Sequence, residues 1–122
     1  GKANLLAVDL DIAVIDWAER SHHKADLIIN ATPLGMAGEY MHLSPWPLAV
    51  FPARTVVFDL VYNPLQTRFL TDARLSGCTV ISGLSMFLHQ GLAQFELWTG
   101  KTLNPVQAES LLREELNRRQ GA

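Results

Sequence analysis

Apolar residues fall in short runs along this chain, and the runs stop at small polar residues, proline or glycine. Leu27-Ile28-Ile29 is continuous and apolar, with Asp26 before it and Asn30-Ala31-Thr32-Pro33-Leu34-Gly35-Met36 after it. Such an unbroken run predicts a parallel strand covered on both faces. Pro33 has no N–H for a ladder and disfavours helix at Thr32, so the strand stops there, and Gly35 lets the backbone turn sharply. Thr55–Tyr62 predicts a second buried strand and Cys78–Ile81 a third. Asn63 as cap and Pro64 as first residue predict a helix that reaches about Ser76, with Gly77 as its stop. Ser82-Gly83 leads into a helix over about Leu84–Trp98, apolar nearly all round and so expected to be well buried. Gly91 within it costs helix stability, which points to close packing there, and Gly100 ends it. Asn104-Pro105 repeats the cap-and-proline start. The last helix runs to about Arg119, with Val106, Leu111, Leu112 and Leu116 on one stripe.

The remaining segments are less regular. Residues 1–11 hold the end of a helix or strand, and Asp9 and Asp11 read as a solvated turn rather than a metal pair. Ile12–Ile15 is a further strand candidate, and Trp17–Lys24 resembles a short helix. His22 and His23 are adjacent on it, so they point apart and make a poor metal pair. Ala37–Arg54, with Gly38, Pro45, Pro47 and Pro52, is a long loop that Trp46 and Phe51 tack onto the core. Buried strands alternating with helices predict an α/β fold with a parallel sheet. The architecture is the parallel-sheet half of a doubly wound Rossmann-like domain with C-terminal helices, or a small flavodoxin-like sheet.

Composition narrows the function classes. The chain has 122 residues, 48% hydrophobic and 18% charged, which is enough for one folded domain. A net charge of −2 without a basic run argues against a nucleic-acid or acidic-membrane surface. The single cysteine, Cys78, allows no internal disulfide and fits a cytoplasmic setting. No apolar run is long enough to span a bilayer. The chain opens on Gly1-Lys2-Ala3-Asn4 without methionine, as the middle of a larger protein would.

In a parallel sheet the strand ends Asn30/Thr32, Asp59/Tyr62 and Ser82/Gly83 share one carboxyl edge, where open α/β sheets bind ligands. Tyr62 offers an apolar body with a polar tip. Gly83 lets bare backbone approach a ligand at a helix start. Met86 and Gln90 are four apart and share a helix face, and a buried Gln90 needs polar partners. Asn30 bonding its own backbone and Asp59 capping a backbone are the structural alternatives. There is no G-x-G-x-x-G phosphate loop. The lysines, Lys2, Lys24 and Lys101, lie away from this edge, so no lysine–carboxylate pair for proton transfer is present there.

Three motifs together resemble the shikimate dehydrogenase family: Ile29-Asn30-Ala31-Thr32-Pro33-Leu34-Gly35-Met36, then Asp59-Leu60-Val61-Tyr62-Asn63-Pro64-Leu65-Gln66-Thr67, then Gly83-Leu84-Ser85-Met86 with Gln90-Gly91 and Phe95-Glu96-Leu97-Trp98-Thr99-Gly100. The resemblance covers about residues 26–100, and the last helix fits as well. The family joins a substrate domain to an NADP-binding Rossmann domain and reduces 3-dehydroshikimate to shikimate in aromatic amino-acid biosynthesis. The resemblance implies that residues 1–122 are the second half of that Rossmann domain plus C-terminal helices, without the phosphate loop or the N-terminal substrate domain.

By the same resemblance, Asn30, Ala31, Thr32, Leu60 and Gly83 lie along the nicotinamide half of the cofactor, and Met86 packs near its ring. Tyr62 and Gln90 reach shikimate or 3-dehydroshikimate. The family's catalytic lysine and aspartate match no position here, which implies an enzyme piece inactive on its own. Ser85 stands where the family commonly has glycine, and quinate-using relatives share much of the pattern. A different class of reading is a non-catalytic Rossmann module whose open apolar edge favours partner binding or homo-oligomers.

Overall fold

A computed structural model describes residues 1–47 and 51–120. Its elements are α1 (Lys2–Leu10), a 3-10 helix (Trp17–His22), β1 (Leu27–Asn30), β2 (Val56–Asp59), α2 (Arg68–Leu75), β3 (Thr79–Ile81), α3 (Gly83–Thr99) and α4 (Pro105–Gln120). The fold is mixed α/β. Its strands form one parallel sheet in the order β1-β2-β3, with Leu27 opposite Val56 and Val56 opposite Thr79. The expected alternation of strand and helix is therefore present from β2 onward, with the long loop joining β1 to β2.

One face of this sheet makes the core. Ile28 and Val57 point towards Phe69, Leu70 and Ala73 of α2, and Cys78 and Trp46 close the cluster. Trp46, Phe51 and Phe69 follow one another with ring centroids 6.1 and 6.0 Å apart, so the long loop is tied to the core by its aromatics as expected. Residues 48–50 of that loop lie outside the described residues. The opposite sheet face is half open: Leu27 and Ile29 are each 50% exposed. The expectation of strands covered on both faces is corrected by this one-sided burial. A continuous apolar run records what a strand can bury, and here only alternate residues of β1 meet a covering layer.

Four further expectations change. Ile12–Ile15 form no strand: they pair with no strand among the described residues and stand 44–55% exposed at Ile12, Val14 and Ile15. The helix expected from Pro64 starts only at Arg68. Asn63-Pro64 is a cis peptide, and Thr67 is the cap, its Oγ1 accepting the Leu70 N–H at 3.2 Å. α3 is not well buried: Gly83, Leu84 and Leu88 are, while Leu97 is 81% and Trp98 76% exposed. Its start meets the loop after β2 through Gly83 and Phe87, and α4 packs against it. Nothing lies within 4 Å of where a Gly91 side chain would stand, so close packing does not explain that glycine.

Other local rules hold. Asn104 Oδ1 accepts the N–H groups of Val106 and Gln107 at 3.0 and 3.1 Å, the expected cap of α4. Of its apolar stripe, Leu116 is buried, Leu112 half-buried, and Val106 and Leu111 exposed. Asp16 caps the 3-10 helix through Ala18 N–H at 2.8 Å. Arg20 lies 4.1 Å over the Trp17 ring and donates to the carbonyls of Trp17 and Pro45, docking this turn on the long loop. No described helix is long and apolar enough to cross a membrane.

Candidate functional site

The carboxyl ends of β1 and β2 release two loops side by side, and a buried polar network sets their paths. Asp59 is 0% exposed. Its Oδ1 accepts the Val61 N–H at 3.0 Å and the Asn30 Nδ2–H at 2.9 Å, and its Oδ2 accepts the Thr67 hydroxyl at 2.5 Å. Asn30 passes the constraint on. Its Oδ1 accepts the Thr32 N–H and hydroxyl at 3.0 and 2.7 Å, and its Nδ2 also donates to the Leu34 carbonyl at 2.9 Å. Both structural alternatives for these residues are thus realised: Asn30 bonds its own loop and Asp59 caps the backbone of the next.

Gly83 meets this edge from the third strand's side. A Cβ there would lie 2.7 Å from the Leu60 carbonyl oxygen, 2.5 Å from the Val61 carbonyl carbon, and closer still to the Val61 oxygen. The bare backbone of Gly83 is needed first because the chain itself passes there. This close approach seats the first turn of α3 on the β2 loop.

The two loops and the end of α4 enclose an open pocket of about 440 Å³. Its walls include Ala31, Thr32, Leu60 and Tyr62 from the sequence-expected set. Leu116 and Arg119 of α4 complete it, and nothing in the sequence pattern had placed the last helix at the sheet edge. The lining is mainly apolar, with Thr32, Tyr62, Asn63 and Arg119 as its polar members. Tyr62 is stacked on Phe87 of α3, with centroids 4.5 Å apart and planes 16° from parallel. Phe87 was missed because it reads as one more apolar residue on an apolar helix. Met86 is half-buried and Gln90 exposed, and neither lines the pocket. Gln90's polarity is explained in this chain by solvent.

Charge at the pocket's rim comes from α4. Arg119 Nε donates to Glu115 at 2.8 Å, and Arg118 donates to both Glu115 oxygens at 2.8 and 2.9 Å. These hydrogen bonds lower the Glu115 pKa to about 2, and the same pairing raises that of Arg118. One carboxylate shared by two guanidiniums leaves the α4 end net positive. Among the described residues no group of histidine, cysteine, aspartate or glutamate is placed to hold a metal. Burial raises the pKa of Cys78, so its thiol stays neutral and away from the pocket.

Comparison with known proteins adds a family. The profile described as the Shikimate 5'-dehydrogenase C-terminal domain matches residues 83–108. A Maridesulfovibrio salexigens protein named shikimate dehydrogenase (NADP(+)) is 46% identical over 115 residues, which are 94% of this chain and 42% of that protein. The solved shikimate 5-dehydrogenase of Thermus thermophilus, in complex with NADP(H) and shikimate, superposes with a TM-score of 0.78 at 37% identity. That match covers 92% of this chain and 41% of the other. A chorismate mutase/shikimate 5-dehydrogenase fusion protein from Clostridium acetobutylicum gives a TM-score of 0.80 at 32% identity, covering 93% of this chain and 43% of that one. The chain thus spans about two fifths of the length of the relatives it matches.

Proposed function

The chain matches the C-terminal part of the shikimate dehydrogenase family, and from that premise we propose that it forms the nicotinamide side of an NADP-dependent shikimate dehydrogenase. Residues 1–122 are the second half of its Rossmann domain with the C-terminal helices, and they act with an N-terminal substrate domain and a phosphate loop that this sequence does not contain. The observation that carries the reading is the pocket at the carboxyl ends of β1 and β2, in the place where open α/β sheets take ligands.

The pocket fits that role chemically. About 440 Å³ with mainly apolar walls suits a flat heteroaromatic ring. NADP, when bound, supplies the hydride exchanged with the carbon of the substrate's carbonyl or hydroxyl group. The residues of this chain bind and orient. Ala31, Thr32 and Leu60 form the wall along the ring, with Asn30 holding Thr32 in place from below. Gly83 seats α3 beside them, and Met86 on its first turns would pack near the nicotinamide ring. Tyr62, fixed by Phe87 yet with its hydroxyl unbonded among the described residues, turns that hydroxyl to shikimate or 3-dehydroshikimate. Gln90, exposed here, reaches the same substrate from α3. The family's catalytic lysine and aspartate match no position of this sequence, so the acid–base step falls to the substrate domain and the chain alone is expected to be inactive.

The test is the melting temperature of the 122-residue chain with and without NADP and shikimate, since bound ligand stabilises in proportion to occupancy. A rise with either ligand is expected from a usable half-site. Turnover of shikimate with NADP by this chain alone would overturn the assignment of roles. A cooperative melt unmoved by millimolar NADP and shikimate would remove the pocket from consideration as an independent site.

A further inference from the structure

We infer that Asp59 is a positioning residue for the pocket: it touches no ligand-facing surface, yet it fixes the two loops that form the walls. The argument starts from its donors. Val61 N–H, the Asn30 amide and the Thr67 hydroxyl converge on one carboxylate that is 0% exposed. A carboxylate receives all three, whereas an amide keeps one oxygen for Val61 and Asn30 and meets Thr67 only because that hydroxyl can turn round to accept, so the variant that removes the hub is an apolar isostere. A buried carboxylate is costly unless it is fully hydrogen-bonded, so these donors also hold it. The connections then run outward. Through Val61 the carboxylate fixes the turn that carries Leu60, Tyr62 and Asn63. Through Asn30 it fixes Thr32 and Leu34 on the neighbouring loop. Through Thr67, whose Oγ1 also caps α2 at Leu70, it ties both loops to the helix beneath the sheet. An apolar residue at 59 would fill the same space and lose all three connections.

The role predicts a relay that exchange can read one bond further on. The Thr32 N–H is bonded to Asn30 and not to Asp59, so loss of the carboxylate frees it only if Asp59 orients Asn30. The experiment is residue-resolved amide hydrogen exchange on the full chain carrying Asp59→Leu. The reference amides are those of Val56 and Cys78, bonded to Asp26 and Ala73 backbone oxygens at 2.9 and 3.0 Å. Exchange at Thr32 and Val61 is expected to rise tenfold or more relative to those references. A Val57→Ala variant, which loosens the core without touching the network, is expected to speed all these amides alike. Thr67→Val is the milder second variant: it removes one donor from Asp59 and should quicken Thr32 as well as Leu70. If Thr67→Val quickens Leu70 alone, or if Thr32 keeps pace with Val56 in Asp59→Leu, Asp59 is not a positioning residue. The consequence for ligand rests on the nicotinamide reading above and is measured separately, as a weakening of NADP binding of tenfold or more in Asp59→Leu. If the unaltered chain binds no NADP, the pocket is not an independent nicotinamide site, while the exchange pattern still decides the role of Asp59.

Discussion

Gly83→Ala is the substitution whose cost the structure states most directly. An added Cβ meets the carbonyl oxygen of Leu60 at 2.7 Å, the carbonyl carbon of Val61 at 2.5 Å, and the Val61 oxygen closer still. All three are backbone atoms, so no rotamer change relieves the clash; either α3 or the β2 loop must move. Overpacking of this kind costs about 1–3 kcal/mol and sometimes more. With backbone on both sides the upper end applies, about 3 kcal/mol. Against it stands the helix preference of alanine over glycine, at most about 1 kcal/mol and less in the first turn. The net destabilisation is about 2–3 kcal/mol, a large share of the roughly 5–15 kcal/mol that holds a small domain. The melting temperature should fall by roughly 10 °C. Gly91→Ala in the same helix is the control. Nothing lies within 4 Å of its new methyl group, so only the propensity gain remains, about 0.5–1 kcal/mol in favour of alanine. Thermal or urea unfolding of both variants decides the matter. A Gly83→Ala chain that melts within about 2 °C of the original would refute the claim that Gly83 is required by backbone contact.

Three further outcomes are expected. Asn104→Ala removes the acceptor for Val106 and Gln107 N–H and should cost about 1 kcal/mol, read by urea unfolding, with Asn104→Asp nearly neutral. Arg118 and Arg119 hold the Glu115 pKa at about 2, below the ordinary 4.5, so their stabilisation of α4 is present above about pH 4.5 and is lost as pH falls towards 2. Helical circular dichroism between about pH 2 and 5 should therefore respond to acid less steeply in Glu115→Gln, and the difference should shrink in high salt. Cys78, buried and with its pKa raised, should react with iodoacetamide at neutral pH only as fast as the chain opens, and promptly in denaturant.

The sequence was legible wherever a local rule had one physical solution. The β1 and β3 runs end where Asn30 and Ile81 precede turn chemistry, and Asn104-Pro105 starts α4 as its cap requires, whereas β2 stops at Asp59 and not at the expected Tyr62, because the Asp59 side chain takes the Val61 N–H. It misled where a rule depends on what lies across space. The apolar surround of α3 reads as burial, but Leu97 and Trp98 face solvent because no described element meets that surface. Ile12–Ile15 has strand composition and, among the described residues, no strand to pair with. Asn63-Pro64 carries a helix-start signal, and Thr67 takes the cap instead because its hydroxyl is also held by Asp59. The pocket was half legible for the same reason. Thr32 and Tyr62 follow from strand ends and Leu60 only from the family resemblance, whereas Leu116 and Arg119 arrive from a helix whose position no periodicity encodes.

The residues of the three motifs divide into two kinds of work, and the division bears on how such motifs should be read. Asn30, Asp59, Thr67 and Gly83 sit in the most recognisable positions, and in this fold each serves the backbone: three through hydrogen bonds and one through the absence of a side chain. The pocket walls are supplied by their less distinctive neighbours Ala31, Leu60, Tyr62 and Met36. This follows from physical constraint. A wall residue must be apolar and of suitable size, which many side chains satisfy. A buried hub must match donors to acceptors at fixed geometry, and a close approach admits only hydrogen at Cα. The narrower requirement leaves the sharper sequence signal. A motif at a sheet's carboxyl edge is therefore stronger evidence for how the loops are held than for which atoms of a ligand they touch, and the exchange relay from Asp59 through Asn30 to Thr32 separates the two.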